Sequence, residues 1–145
     1  MVNTFVIERD TSPYVDSEFR HIVSLFHKEA ASRGFKLQNK NISVMFDLDD
    51  DEPGVVGACF LSIRRSYIKI KTETWPFLAP QEKEMLVFHE LAHCLLGRQH
   101  CDQVHDGHPI SIMNSNILNT DLYIAKRTEL INELFSKDKR CTDSD

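Results

Sequence analysis

The sequence predicts an α+β fold: a small twisted mixed sheet with an N-terminal helix, a middle helix and a C-terminal helix. Three observations carry this expectation. Apolar residues recur at three- and four-residue steps in three separate segments, as they do on helices with one buried face. Short runs rich in Val, Ile, Phe and Tyr stand between the first and second of these segments, bounded by turn-forming residues. At 145 residues the chain is long enough for one domain with a core and short for two, so residues 1–145 are read as a single domain.

Composition narrows the function classes. Charged residues make up 27% and apolar residues 41%, which is the balance of a soluble globular chain. A net charge of −5 argues against nucleic-acid binding, which needs a basic face to neutralise phosphates. No apolar run approaches the roughly 20 residues of a membrane helix, so no membrane span is expected. The start M-V-N-T-F-V-I-E-R-D lacks a basic region followed by an apolar core. It shows no export signal, and a secreted or periplasmic protein whose leader has been removed stays open as an alternative. Cys59, Cys94, Cys101 and Cys141 allow three full pairings and contain no C-x-x-C spacing. A zinc ribbon is therefore not expected, and free thiols and one or two disulfides both remain open.

In chain order, residues 3–8 are β-prone and end before the turn at Ser12-Pro13. From Asp16, the positions Phe19, Ile22, Val23, Phe26 and Ala30 predict a helix of about five turns, closed by Gly34 just past its end. His21 and His27 lie on it without a partner at metal-binding spacing. Ile42, Val44 and Phe46 alternate with polar or flexible neighbours and predict a strand. The acidic run Asp49 to Gly54 follows; it lacks the spaced oxygen ligands of a calcium loop, so a solvated turn is favoured. Val55 to Ile63 and Tyr67 to Ile70 predict two more strands joined as a hairpin through Arg64-Arg65-Ser66.

Pro76 and Pro80 then break the pattern. Pro80 suits the first turn of a helix whose positive end Glu82 and Glu84 complement. Leu86, His89, Glu90 and His93 continue it as an amphipathic helix, and Gly97 ends it. The stretch from His100 to Leu118 reads as a long loop containing Ser111-Ile112-Met113-Asn114. Leu122, Ala125, Leu130, Ile131 and Leu134 predict the last helix, followed by a charged tail from Lys137 expected to fray.

The middle helix carries the chemistry. In H-E-L-A-H-C-L-L-G-R-Q-H, His89 and His93 stand four apart, so one helical turn separates them and their imidazoles leave nearly the same face. Glu90 lies beside that face, within reach of a water held by a metal. Beyond Gly97 the chain can return His100 as a third ligand, with Cys101, Asp102, His105 and His108 as alternatives. Three nitrogens leave one zinc position open, as hydrolysis requires.

With Met113 downstream, this constellation resembles the metzincin clan of zinc metallopeptidases, whose signature is H-E-x-x-H-x-x-G-x-x-H plus a Met-turn. The resemblance covers His89 to His100 and Ser111 to Asn114, and the element order more loosely. Here Gly97 and His100 each fall one place later than in the signature. An additional helical residue turns the exit by about 100°, which the loop around Gly97 must absorb.

The resemblance implies a zinc-dependent endopeptidase with one catalytic Zn²⁺ held by His89, His93 and His100, and Glu90 as general base toward a zinc-activated water. It implies Met113 as an apolar floor below the metal rather than a ligand, because a thioether suits a hard zinc site poorly. It also implies a peptide or protein substrate extended along an edge strand, here Val55 to Ile63, with Ile117 near the pocket beyond the scissile bond. Some metzincins carry a tyrosine two residues after the methionine. Ser115 stands there, and Tyr123 is at most a distant substitute. Three alternatives remain: a non-catalytic zinc-dependent binding module, in which Glu90 would have no task; a gluzincin-type peptidase taking its third ligand from the Asn132-Glu133 and Asp138 segment; and a helix-rich interaction domain in which the histidines are merely surface residues. No pattern specifies an oligomeric state.

Overall fold

A computed structural model describes residues 13–37, 42–46, 54–62, 65–137 and 141. These residues form a mixed α+β fold with three α-helices and two small sheets. The expected strand at 3–8, most of the acidic run and Asp138 lie outside the described residues.

Helix α1 spans Ser17–Ser32. It begins where the Asp16 carboxylate accepts the Glu18 backbone N–H at 3.1 Å, and it ends at Arg33, followed by Gly34 at φ +84°. Its buried face is Phe19, Val23, Phe26 and Ala30. Strands β1 (Ile42–Met45), β2 (Gly57–Phe60) and β3 (Ser66–Ile70) form the main sheet in the order β1-β3-β2. β1 runs parallel to β3 and β2 antiparallel to it, so the sheet is mixed as expected. Residues 14–16 pair with the far side of β1 through Val44. Among the described residues β2 pairs with β3 alone, and it covers four residues of the expected strand from Val55 to Ile63, with Leu61 72% exposed beyond it.

A 3₁₀ turn at Trp75–Phe77 leads into α2, Pro80–Leu91. Pro80 occupies the first turn, where its missing N–H costs nothing, and the Glu82 carboxylate accepts the Ala79 N–H at 2.8 Å. The expected amphipathic pattern does not hold over the second half of this helix. Met85 to Phe88 are all buried, as are Glu90 to Ala92, because α1, β2 and α3 pack around α2. Phe26 of α1 meets Phe88 of α2 edge-on at 5.3 Å and Phe135 at 5.0 Å, which joins the three helices in one core.

Past α2 the helix widens into a π-helical turn, Ala92–Leu96, closed by Gly97 at φ +68°. The expected long loop contains a two-stranded ribbon, β4 (Val104–His105) with β5 (His108–Pro109). Its turn is Asp106-Gly107, both at positive φ, the pairing that tight hairpins favour. Helix α3 spans Thr120–Leu134, capped by the Asn119 side chain, with non-helical angles at Lys126. This kink resets the buried face: Tyr123, Leu130, Ile131 and Leu134 point inward, whereas Ala125, expected inside, is exposed.

The cysteines form two disulfides, Cys59–Cys94 and Cys101–Cys141. The second ties Cys141 to the loop after His100; the rest of the charged tail beyond Lys137, expected to fray, lies outside the described residues. Among the described residues no helix is long and apolar enough to cross a membrane.

Candidate metal centre

His89, near the end of α2, and His93, in the π-helical turn that continues it, stand one turn apart, and His100 returns to face them. One ring nitrogen from each of the three lies within 4.8 Å of the other two. The approach of His100 depends on the π-helical turn. The Gly97 N–H reaches back five residues to the Ala92 carbonyl, and the Arg98 N–H shares that acceptor at 3.1 Å. A π turn takes in one more residue than an α turn over the same length. The additional residue between His93 and Gly97 is thus absorbed inside the helix, not in the loop beyond it.

Each ring is held from behind. His89 Nδ1 donates to the Ile112 carbonyl at 2.8 Å and His93 Nδ1 to the Arg98 carbonyl at 2.7 Å. His100 Nδ1 faces the Ser115 hydroxyl oxygen at 3.4 Å. Carbonyl oxygens only accept, so the rings of His89 and His93 carry their hydrogens on Nδ1. Their Nε2 atoms stand 3.1 Å apart, two lone pairs facing each other with no hydrogen between them. A cation relieves that repulsion. Zn–N bonds of about 2.05 Å at tetrahedral angles put two nitrogens about 3.3 Å apart, close to the spacing found. The three imidazoles could hold a metal ion, and the outer nitrogens of His89 and His93 are engaged as those of metal-binding histidines usually are.

The alternative third ligands do not join this group. Cys101 is in a disulfide, and both carboxylate oxygens of Asp102 accept hydrogen bonds from Ser115. These bonds hold the Asp102 carboxyl below its ordinary pKa. His105 and His108 sit on the exposed β4–β5 ribbon, where His105 faces Asp106 at 3.4 Å. His21 and His27 stay on α1. The Glu133 carboxylate pairs with Arg98 at 2.9 Å. Tyr123 is buried and gives its hydroxyl hydrogen to Glu84, on which Arg127 also converges at 2.8 Å.

Burial sets the charge states. It lowers His89 from 6.5 to about 4 and also lowers His93, which keeps both in the neutral, lone-pair form. It raises the Glu90 carboxyl from 4.5 to about 7. Glu90 is 6% exposed and lies where two recesses meet. One, of about 360 Å³, is walled by Leu86, Ile112, Ile117 and Leu118. The other, of about 440 Å³, lies toward Ala58, His93 and Gln99. Gly57 lets β2 lie directly on α2 here. A Cβ at that position would come within 3.0 Å of Ile70 Cδ1, 3.1 Å of Leu86 Cδ1 and 3.4 Å of Glu90 Cγ.

Met113 is fully buried. Its turn is shaped by Ser111, whose hydroxyl accepts the Met113 N–H at 2.9 Å, while the Met113 carbonyl accepts the Cys101 N–H at 2.9 Å. Sequence reasoning missed the supporting residues Arg98, Ile112 and Ser115, and treated Asp102 only as a possible ligand. The Arg98 guanidinium donates to the carbonyls of Glu133 and Leu134 at 2.8 and 2.9 Å, satisfying the end of α3. No local signal announces such contacts between distant segments.

In comparisons with known proteins, no family matches this chain, and no curated protein or solved structure matches it.

Proposed function

We propose that this chain is a zinc-dependent endopeptidase of metzincin-like organisation, with one Zn²⁺ held by His89, His93 and His100. The observation that carries this reading is the pair of facing Nε2 lone pairs, 3.1 Å apart, with both rings pinned from behind. A zinc ion bound there acidifies water and polarises a carbonyl. Three protein nitrogens leave room for that chemistry, whereas a purely structural zinc site is closed by four protein ligands.

Glu90 takes the proton from the attacking water and delivers it to the departing amine. Its position next to His89 and its seat at the junction of the two recesses support that role. Among the described residues the outer edge of β2 is unpaired by any strand, and it offers backbone groups to an extended peptide. The recess beside Leu86, Ile112, Ile117 and Leu118 takes an apolar side chain of that peptide. The buried Met113 and its turn support His89 through the neighbouring Ile112 carbonyl. A third ligand from Glu133 is disfavoured because Arg98 already holds that carboxylate.

Zinc analysis of the purified protein, joined to cleavage of a peptide library with Glu90→Gln as the blank, tests the reading. Stoichiometric zinc and cleavage lost in Glu90→Gln are expected. Absence of zinc overturns it, and zinc without turnover points instead to a binding module.

A further inference from the structure

His100 differs from its two partners in how it is held. It is exposed where they are half-buried, and its Nδ1 meets a side chain where theirs meet backbone carbonyls. That side chain is itself committed. The Ser115 hydroxyl donates to Asp102 Oδ2 at 2.7 Å, and the Ser115 backbone N–H donates to Asp102 Oδ1 at 2.6 Å. With its hydrogen given to the carboxylate, the hydroxyl oxygen meets His100 Nδ1 at 3.4 Å as an acceptor. Carboxylate, hydroxyl and imidazole thus form a directed series.

We infer that Asp102 and Ser115 are positioning residues that act in series on His100, fixing its tautomer and ring orientation so that its other nitrogen is presented to the metal. This rests on the metal-binding reading above. The ordering follows from the donor and acceptor counts. An ionised carboxylate only accepts, so it orients the hydroxyl, and the oriented hydroxyl can receive only the Nδ1–H tautomer. His89 and His93 need no such relay because peptide carbonyls already impose the same tautomer. The pair of bonds between Asp102 and Ser115 also ties the loop after Gly97 to the turn after Met113, so a purely structural role must be told apart from positioning.

Zinc affinity, measured by competition with a chromophoric chelator, tells them apart. Asp102→Asn and Ser115→Ala are each expected to weaken zinc binding by about 10- to 100-fold, the usual cost of losing the group behind a ligand. Ser115→Thr, which keeps the hydroxyl, is expected to restore it. In a His100→Ala background, Asp102→Asn is expected to change affinity no further, because its effect passes through the missing ring. The same loss in that background, or wild-type affinity in Ser115→Ala, overturns the inference. Circular dichroism of the metal-free forms identifies any variant that does not fold, and Asp102→Asn carries the test should Ser115→Ala fail to fold. Folded wild-type protein that takes up no zinc overturns the metal reading itself and this inference with it.

Discussion

Nε2 of His89 stands 3.1 Å from Nε2 of His93, and the hydrogens of both rings point away from each other toward peptide carbonyls. Without a cation between them the pair is repulsive, so a metal bound there would stabilise the fold. Zinc at 100 times its dissociation constant is expected to stabilise the protein by about 2.7 kcal/mol, on the order of 8 °C in the unfolding midpoint for a chain of this size. Thermal unfolding with zinc and with a chelator checks this. His89→Ala and His93→Ala should remove the difference, and an equal midpoint in zinc and in chelator would count against the site.

The metal-free protein should show two opposed pH dependences. The His89 pKa is lowered from 6.5 to about 4, so its contribution to stability is complete above pH 6.5 and is lost as pH falls toward 4. The Glu90 pKa is raised from 4.5 to about 7, so its contribution is complete below pH 4.5 and is lost as pH rises toward 7. Each is on the order of 3 kcal/mol, and between pH 4.5 and 6.5 they offset. Glu90→Gln unmasks them: its stability relative to wild type should grow as pH rises from 4.5 to 7. Urea unfolding of both metal-free proteins across that range measures it, and a difference that does not vary with pH is the contrary result.

Gly57→Ala tests the close approach of β2 to α2. The added methyl meets Ile70, Leu86 and the Glu90 side chain at 3.0 to 3.4 Å, and such overpacking costs about 1 to 3 kcal/mol. Because one of the displaced groups belongs to Glu90 and none to a histidine, peptide cleavage should fall while zinc affinity holds. Loss of zinc binding in the folded variant would show that the contact matters in another way.

Each disulfide has one cysteine directly after a histidine of the triad: Cys94 after His93 and Cys101 after His100. The bridges close loops with sequence separations of 35 and 40, for which chain-entropy arguments give about 4 kcal/mol each. Removing either by Cys→Ser pairs should lower stability in urea unfolding by roughly 2 to 4 kcal/mol. Loss of Cys101–Cys141 should weaken zinc binding as well, since it frees the loop of His100. Unchanged affinity in that variant would show that Arg98 and Asp102 hold the loop unaided. Two such bridges also suit a protein that works in oxidising surroundings.

The legible parts of the fold were those written within one element. The helical spacing of His89 and His93 is local, and so are the apolar steps of α1. The Asp106-Gly107 turn is equally local, a hairpin signal inside a stretch whose composition otherwise predicts a loop. What stayed hidden depends on segments meeting. Four cysteines permit three pairings, so their partners emerge only with the fold. The shortened β2 has β3 as its one strand neighbour among the described residues, a pairing that only the fold reveals. The kink at Lys126, which exchanges Ala125 for Tyr123 on the buried face, has no proline or glycine to announce it. At the site, the displaced Gly97 was visible, but the π-helical turn that accommodates it was not.

The anchoring of Arg98 on the end of α3 and of Cys101 on Cys141 also sets an order in time. On the ribosome, His89, His93 and His100 are all made before Glu133, Leu134 and Cys141. A growing chain can form α2 and the π-helical turn and present two imidazoles while Glu133, Leu134 and Cys141 have yet to be synthesised. These anchors of the His100 loop are thus added last, and a nascent chain stopped before Glu133 would carry all three histidines with the contacts of Asp102, Ser115 and Met113 but without the hold of α3 and Cys141.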